Sequence, residues 1–274
     1  MQTHHHKGEM IFLIISLFLS SGVSNFAPYS KQQIMTIKPY NQKGTSKKQE
    51  VANMFNTIAP HYDLLNHLLS LGIDKIWRKK TIKLFKQLKA PYVLDVATGT
   101  GDMAIKAHQM LDCDVVGVDI STQMLEIAEK KILKRYYHHS ISVQEADSEN
   151  LPFKNETFDA VMVAFGVRNF ENLDKGLQEM ARVLKKDGLM AILEFSKPTK
   201  FPIKQLYLFY FTKLLPFMGG LISKDREAYS YLPQSVLQFP DGTEFENHLK
   251  TCGMTPIKRI PLTLGIATIY LARK

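Results

Sequence analysis

Cysteine is scarce in this sequence, and its placement argues against two classes of protein. Cys113 and Cys252 are the only two; they have neither metal-ligand spacing nor the density of a disulfide framework, so a reduced interior is expected. His4 to His6 is a short incidental run, and no histidine constellation calls for a metal ion. A long hydrophobic run is missing too. Met10 to Leu19 (MIFLIISLFL) is the most apolar stretch, whereas a membrane-spanning helix needs about 20 predominantly apolar residues. Internal repeats and long low-complexity segments are absent. The formal net charge is +9, but basic residues come only in pairs such as Lys79-Lys80, Lys130-Lys131 and Lys185-Lys186. Without a concentrated cluster, a solvated basic surface is expected and nucleic acid is not the expected partner.

What the chain does contain suits one large α/β domain with appendages. It has 274 residues, 45% of them hydrophobic and 22% charged, which is enough apolar material to bury a real core. Val51 to Phe55 and Tyr62 to Leu71 predict two short helices separated by Pro60, and Lys75 to Leu88 a basic amphipathic helix. Apolar, β-branched runs at Tyr92 to Val96, Val115 to Val118, Ile141 to Glu145, Thr157 to Phe165 and Gly188 to Ser196 predict strands, alternating with helical patterns such as Thr122 to Leu133 and Asn172 to Leu184. That alternation implies a parallel sheet with right-handed crossovers. Phe201 to Ile222 breaks the rhythm, being long, aromatic and nearly uncharged. A last helix at Glu244 to Thr251 and two closing strands, Thr255 to Pro261 and Ile266 to Ala272, complete the pattern.

The chemistry concentrates in YVLDVATGTGDMAIKAHQMLDCDVVGVD, Tyr92 to Asp119. It reads as strand, glycine turn, helix, strand. In such a unit a nucleotide lies at the carboxyl ends of the strands, glycines such as Gly99 and Gly101 let backbone approach it, and an acidic residue about 20 positions on takes the ribose hydroxyls. Asp119 stands at that distance from Gly99. A dinucleotide would rest its pyrophosphate on the helix amino end, where Asp102 would repel it. S-adenosylmethionine has no phosphate and carries a sulfonium and an ammonium, so Asp95 and Asp102 flanking the turn favour it over NAD. A glycine turn that only packs a helix on a sheet would read the same way in isolation.

Three further stretches narrow the reading: YDLLNHLLSLGIDKIWR at Tyr62 to Arg78, FGVRNFENLDKGLQEMARVLKKDG at Phe165 to Gly188, and ILEFSKP at Ile192 to Pro198. With DSENLPF at Asp147 to Phe153 and YSYLPQSV at Tyr229 to Val236, they resemble the quinone-biosynthesis C-methyltransferases of the UbiE/MenG type from about Val51 to the carboxyl end. The sequence departs from the family pattern at Leu65 (usually Met), at Asp74 (usually His) and at Lys186-Asp187 (usually Pro-Gly). The resemblance implies a class I methyltransferase, a Rossmann-like α/β fold with helices on both faces of a seven-stranded sheet, mostly parallel, whose last strand inserts antiparallel. It implies methyl transfer from S-adenosylmethionine to a ring carbon of demethylmenaquinol, giving menaquinol; a ubiquinone precursor is the alternative acceptor, or a second one.

The same resemblance assigns Thr100, Asp119, Asp147 and Ser148 to the donor, and the reading of the turn itself adds Gly99, Gly101 and Asp95 to that site. Asp119 can accept from the ribose hydroxyls and Asp147 from the adenine amino group; a loop or cap role is the competing reading of Asp147. A quinol carbon becomes nucleophilic when its hydroxyl loses a proton, so a base or cation is expected beside it. Arg168 in FGVRN is the candidate, with Asn169 orienting it, and a salt bridge to Glu171 or Asp174 is the competing reading. Tyr62 and Asp63 are weaker candidates for the acceptor wall. No metal is expected.

The acceptor is a polyprenylated quinol, so contact with a membrane surface through Phe201 to Ile222 and a cytoplasmic location peripheral to the inner face of the cell membrane are expected. A buried helix would give the same sequence signal. The sequence carries no signal for an oligomeric state. The amino end divides into an upstream or non-native leader (1–34), a flexible polar lead-in (35–50) and the methyltransferase domain (51–274). Translation is expected to begin at Met35, although Met10 to Leu19 also resembles a signal-peptide core or an anchor. A membrane-associated donor-binding protein without catalysis would keep that anchor but has no need of FGVRN. An RNA methyltransferase would not need the apolar stretch after Leu206.

Overall fold

Val93–Val96 (VLDV) is buried at all four positions, as a central strand covered on both faces requires. The computed structural model describes residues 37–210 and 226–274. The expected leader at 1–34, its apolar run at 10–19, the start at Met35 and the aromatic stretch beyond residue 210 lie outside the described residues.

The strands are β1 (Val93–Val96), β2 (Val115–Asp119), β3 (Ile141–Glu145), β4 (Phe158–Ala164), β5 (Leu184–Phe195), β6 (Thr255–Leu262) and β7 (Ala267–Arg273), and they form one sheet in the order β3-β2-β1-β4-β5-β7-β6. Strands β1 to β5 pair in parallel, and β7 runs antiparallel to both β5 and β6. This is the sheet expected from the sequence. The order reverses at β1, whose neighbours are β2 and β4, and in an open α/β sheet a ligand binds outside the carboxyl ends at such a point.

Eight helices are described: α1 (Lys47–Leu69), α2 (Ile73–Ile82), α3 (Asp102–Leu111), α4 (Thr122–Lys134), α5 (Leu173–Val183), α6 (Ile203–Phe209), α7 (Arg226–Gln238) and α8 (Thr243–Thr251). Alternate side chains along each central strand serve opposite faces. Leu94, Val96, Val161 and Val163 pack with Leu177 and Met180 of α5 and Phe245 of α8. Val93, Ala160 and Met162 pack with Ile82 and with Met103 and Ala104 of α3. Each fully buried side chain of this size contributes roughly 1.5–3 kcal/mol, so the two layers fix the strand ends on which the site is built.

Three expectations change. Pro60 does not separate two helices but lies inside α1. It stands on the exposed side, while Val51, Met54, Ile58 and Ala59 are buried against Met124, Ala228 and Tyr231; that packing outweighs the roughly 3 kcal/mol of a helical proline. The basic helix ends early, at Ile82, and continues as a 3-10 turn over Lys83–Phe85. From residue 40 the polar lead-in is tied down: the buried Glu50 carboxylate accepts from Tyr40 N (2.7 Å), Gln42 N (2.9 Å) and Thr45 Oγ1 (2.5 Å). Helix α7, which contains Pro233, was not expected from periodicity. None of the described helices is long and apolar enough to cross a membrane.

Candidate active site

The carboxyl ends of β1, β2 and β4 open into a cavity of about 680 Å³, continuous with solvent, lined by Gly99, Asp119, Ala146 to Glu149, Ala164 to Gly166 and Asn169, and closed from above by Lys48, Val51, Phe55 and Tyr62 of α1. Two non-glycine residues at its floor have left-handed backbone, Ala97 (φ 53°) and Phe165 (φ 61°). Strained conformations of this kind collect at functional sites. Here they turn the chain sharply out of β1 and β4.

Asp119 ends β2 and is 8% exposed. Its Oδ2 accepts from Gly99 N at 2.8 Å and its Oδ1 from Ser121 N at 2.9 Å. Each oxygen keeps a lone pair for one hydroxyl of a vicinal diol. Burial raises its pKa, and the Ser121, Gly99 and Ile120 backbone N–H groups oppose that shift. Gly99 and Gly101 both have positive φ (57° and 78°), but they do different work. Gly99 lines the cavity, whereas a Cβ on Gly101 would come within 3.1 Å of the Ala128 Cβ, so Gly101 serves the contact with α4.

Asp147 and Ser148 line the far end of the same cavity. Asp147 Oδ1 accepts from Glu149 N at 2.9 Å, closing its own loop, and Oδ2 pairs with Lys48 Nζ at 2.5 Å. The loop role and the cavity position are thus both present. Glu149, 5% exposed, accepts from Glu171 N (2.8 Å) and Asn172 N (3.0 Å). It fastens the loop after β3 to the loop after β4. Lys48 and Glu149 were not singled out from sequence; their only signal is that they are charged residues next to recognised segments.

Asp95 does not line the cavity. It is 1% exposed beneath the turn and accepts from Thr98 Oγ1 at 2.6 Å. Burial pushes its pKa up to about 7, against the pull of Thr98 and Arg78, so the bare anion expected to face a sulfonium is instead a clamp on the glycine turn. Thr100 is also turned aside: its hydroxyl donates to Asp63 Oδ1 (2.6 Å) and accepts from Lys131 Nζ (2.9 Å). Asp102 is neutralised by the same Lys131 at 2.7 Å.

Arg168 is held by neither Glu171 nor Asp174. Its Nη1 donates to Glu194 Oε1 at 3.0 Å and to the Phe165 carbonyl, in a pair whose side chains are 9% and 0% exposed. Arg168 Nε is buried with no hydrogen-bond partner among the described residues. Burial raises the Glu194 pKa, and Arg168 with two backbone N–H groups works against that. Glu194 belongs to the recognised ILEFSKP stretch, but no feature of the sequence marked it as the partner of Arg168. Asn169 lines the cavity and does not orient Arg168 through its carboxamide, whose oxygen accepts from Tyr231 Oη at 3.2 Å. Lys47 Nζ holds the loop by donating to the Arg168 and Phe170 carbonyls (3.0 and 2.8 Å). Its pKa falls to about 8 through burial and the Arg168 charge. Tyr62 stands beside Gly99, and burial raises its phenol pKa. The described residues contain no group of His, Cys, Asp or Glu able to hold a metal.

A switch-point cavity with a buried carboxylate at the end of β2 and an antiparallel seventh strand inside the sheet defines a class I methyltransferase fold. A methyltransferase from Aquifex aeolicus described as SAM-dependent shares that fold, with a TM-score of 0.53 and 18% identity over 72% of this chain and 88% of its own. The chain belongs to the ubiE/COQ5 methyltransferase family, whose sequence profile matches residues 43–274. It is 46% identical to the demethylmenaquinone methyltransferase of Bacteroides fragilis over 87% of this chain and 97% of that protein. It is 45% identical to the ubiquinone/menaquinone biosynthesis C-methyltransferase UbiE of Geotalea uraniireducens over 85% and 99%.

Proposed function

We propose that this protein methylates a ring carbon of demethylmenaquinol, with S-adenosylmethionine as donor. The observation that carries the reading is Asp119, oriented by the Gly99 and Ser121 amides at the floor of the cavity, in a chain of this family. The residues fit the donor: Asp119 has free lone pairs for the ribose, the Ser148 backbone and Asp147 lie where the adenine would reach, and Gly99 leaves room for close approach. When bound, S-adenosylmethionine supplies a methyl group already activated on sulfur. The protein contributes placement and a more nucleophilic acceptor. Arg168 favours the quinolate over the quinol, and a water takes the proton. Tyr62 and Asn169, on the cavity wall, flank the acceptor ring.

Mass spectrometry of the quinone pool tests this directly. Cells lacking the protein are expected to accumulate demethylated menaquinone, and an unchanged pool would overturn the reading. The name of the Geotalea relative favours a ubiquinone precursor as a second acceptor, and the same measurement reports it.

The prenyl tail requires that the enzyme meet a bilayer, and the proposed place of that contact is the inner face of the cell membrane. Phe201 is 81% exposed just ahead of α6, with Lys204 exposed on it, while Tyr207, within the stretch expected to meet the membrane, is 5% exposed and packed with Val236. Phe211, Lys213 and Lys224 lie outside the described residues. Lysines near an anionic surface contribute about 1 kcal/mol each. The protein is therefore expected to co-sediment with anionic and not neutral vesicles, less so at high salt, and less again after Lys204→Glu with Lys213→Glu. Equal recovery under all conditions would favour extraction of the tail into the protein.

A further inference from the structure

Outside the cavity, the same end of the sheet carries a second feature. Strand β5 ends at Phe195, paired with Ala267 at the start of β7, so the turn Thr263–Gly265 between β6 and β7 stands at the carboxyl end of β5. Separate segments are fastened to that turn. Trp77 of α2 donates from Nε1 to Thr263 Oγ1 at 2.9 Å, and Ser196, just past β5, donates from Oγ to the Gly265 carbonyl at 2.8 Å. Beneath them Trp77, Leu262, Ala267 and Ile269 form one buried layer with Phe165, which also lines the cavity and lies 6.1 Å from Trp77 between ring centroids.

What these segments show to water is apolar. Leu71 at the turn between α1 and α2, Ile76 next to Trp77, and Leu264 next to Thr263 are 47%, 55% and 74% exposed, and the exposed Phe201 follows Ser196 by a few residues. Single exposed apolar side chains are ordinary, but two of these are held at a cost. Leu71 (φ 52°) and Leu264 (φ 59°) have left-handed backbone, which glycine or asparagine adopts with less strain. Their side chains face solvent, so core packing does not repay that strain, and strain of this kind points to a function. The surrounding charge has one sign. Asp74, the acidic residue of α2, is buried, whereas Lys75, Lys79 and Lys80 on α2 and Lys200 beside Phe201 are exposed.

We propose that this face, with Leu71, Ile76, Phe201 and Leu264 as apolar tips among lysines, is the surface by which the protein docks on an anionic bilayer. The tips enter the boundary between headgroups and acyl chains, and the lysines meet the anionic headgroups. Single side chains projecting from separate turns suit a fluid surface better than the shaped surface of a protein partner. Docking here brings lipid against the layer that Trp77 shares with Phe165 of the cavity wall. The inference rests on the membrane-contact reading above, and adds the α1–α2 and β6–β7 turns to the contact.

Trp77 is the only tryptophan of the chain and lies behind this face, so its fluorescence reports which face docks. Anionic vesicles with brominated acyl chains are expected to quench Trp77 in the full chain, and unbrominated ones to leave it bright. A variant combining Leu71→Asn, Ile76→Ser and Leu264→Asn is expected to lose the quenching and to bind anionic vesicles at least about tenfold more weakly. Because asparagine accepts a positive φ, its thermal midpoint should not fall, and methylation of a short-tailed, water-soluble quinol should be unchanged. Vesicle binding without quenching of Trp77, or undiminished binding by the variant, would overturn this face and leave membrane contact to another surface. Loss of a dimer in sedimentation, with vesicle binding intact, would give the face to a second copy of the chain and overturn it equally. Failure of the unaltered protein to bind any vesicle would overturn the membrane-contact reading, and the inference with it.

Discussion

Arg168→Ala is expected to lower turnover by roughly 10²–10³-fold while donor affinity stays within about twofold, the pattern of a group whose interaction develops only on the way to the transition state. The guanidinium is nearly buried, and one of its nitrogens is committed to Glu194 and the Phe165 carbonyl. Its Nε has no hydrogen-bond partner among the described residues. The charge is therefore fixed in place before any acceptor arrives, and stabilising a quinolate demands no reorganisation. Asp119→Ala is expected to do the reverse, weakening donor affinity at least about tenfold by removing two charge-assisted hydrogen bonds. Stopped-flow turnover and calorimetry on the same two variants separate the effects. If Arg168→Ala retains activity, or loses it only in step with thermal unfolding, the residue holds the loop and another group assists the acceptor.

The sheet was legible because its signals are local. Runs such as VVGVD and FDAVMVA are buried almost throughout, and a β-branched run bounded by turns looks like a strand without knowledge of its neighbours. The cavity floor was legible for a related reason: Gly99 and Asp119, 20 residues apart in sequence and hydrogen-bonded in the fold, belong to one strand-turn-helix-strand unit. What the sequence did not disclose is carried by contacts between distant segments. Helix α1 continues through Pro60 because its opposite side is packed by α4 and α7. Lys48 reaches Asp147 across 99 residues, and no spacing rule links them. Asp95 and Asp102 show the same limit for electrostatics. Both are acidic and both flank the turn, but burial claims one and Lys131 the other. A count of charges along the chain cannot tell a carboxylate facing a ligand from one already spent on its neighbours.

Glu194→Ala is expected to be among the most destabilising single changes in the protein. Glu194 is fully buried on β5, and its carboxylate accepts from Arg168 Nη1 and from Phe195 N at 3.0 and 2.8 Å. Truncation would leave the Arg168 charge buried without a counter-charge, a loss of about 3–5 kcal/mol where one partner of a buried pair has been removed. For a domain of this size each kcal/mol moves the thermal midpoint by about 2–4 °C, so a fall of roughly 6–20 °C is expected. Glu194→Gln keeps the volume and an oxygen that can accept from Nη1, so its midpoint should fall by less than half as much. The comparison separates packing from charge: a cavity alone would spare the glutamine variant, whereas loss of the counter-charge affects both in graded order. Differential scanning calorimetry with the donor site empty measures this without reference to activity. A midpoint for Glu194→Ala equal to that of the unaltered protein would mean that water or a rearranged side chain compensates Arg168, and the preset charge on which the expected Arg168 effect depends would then not exist.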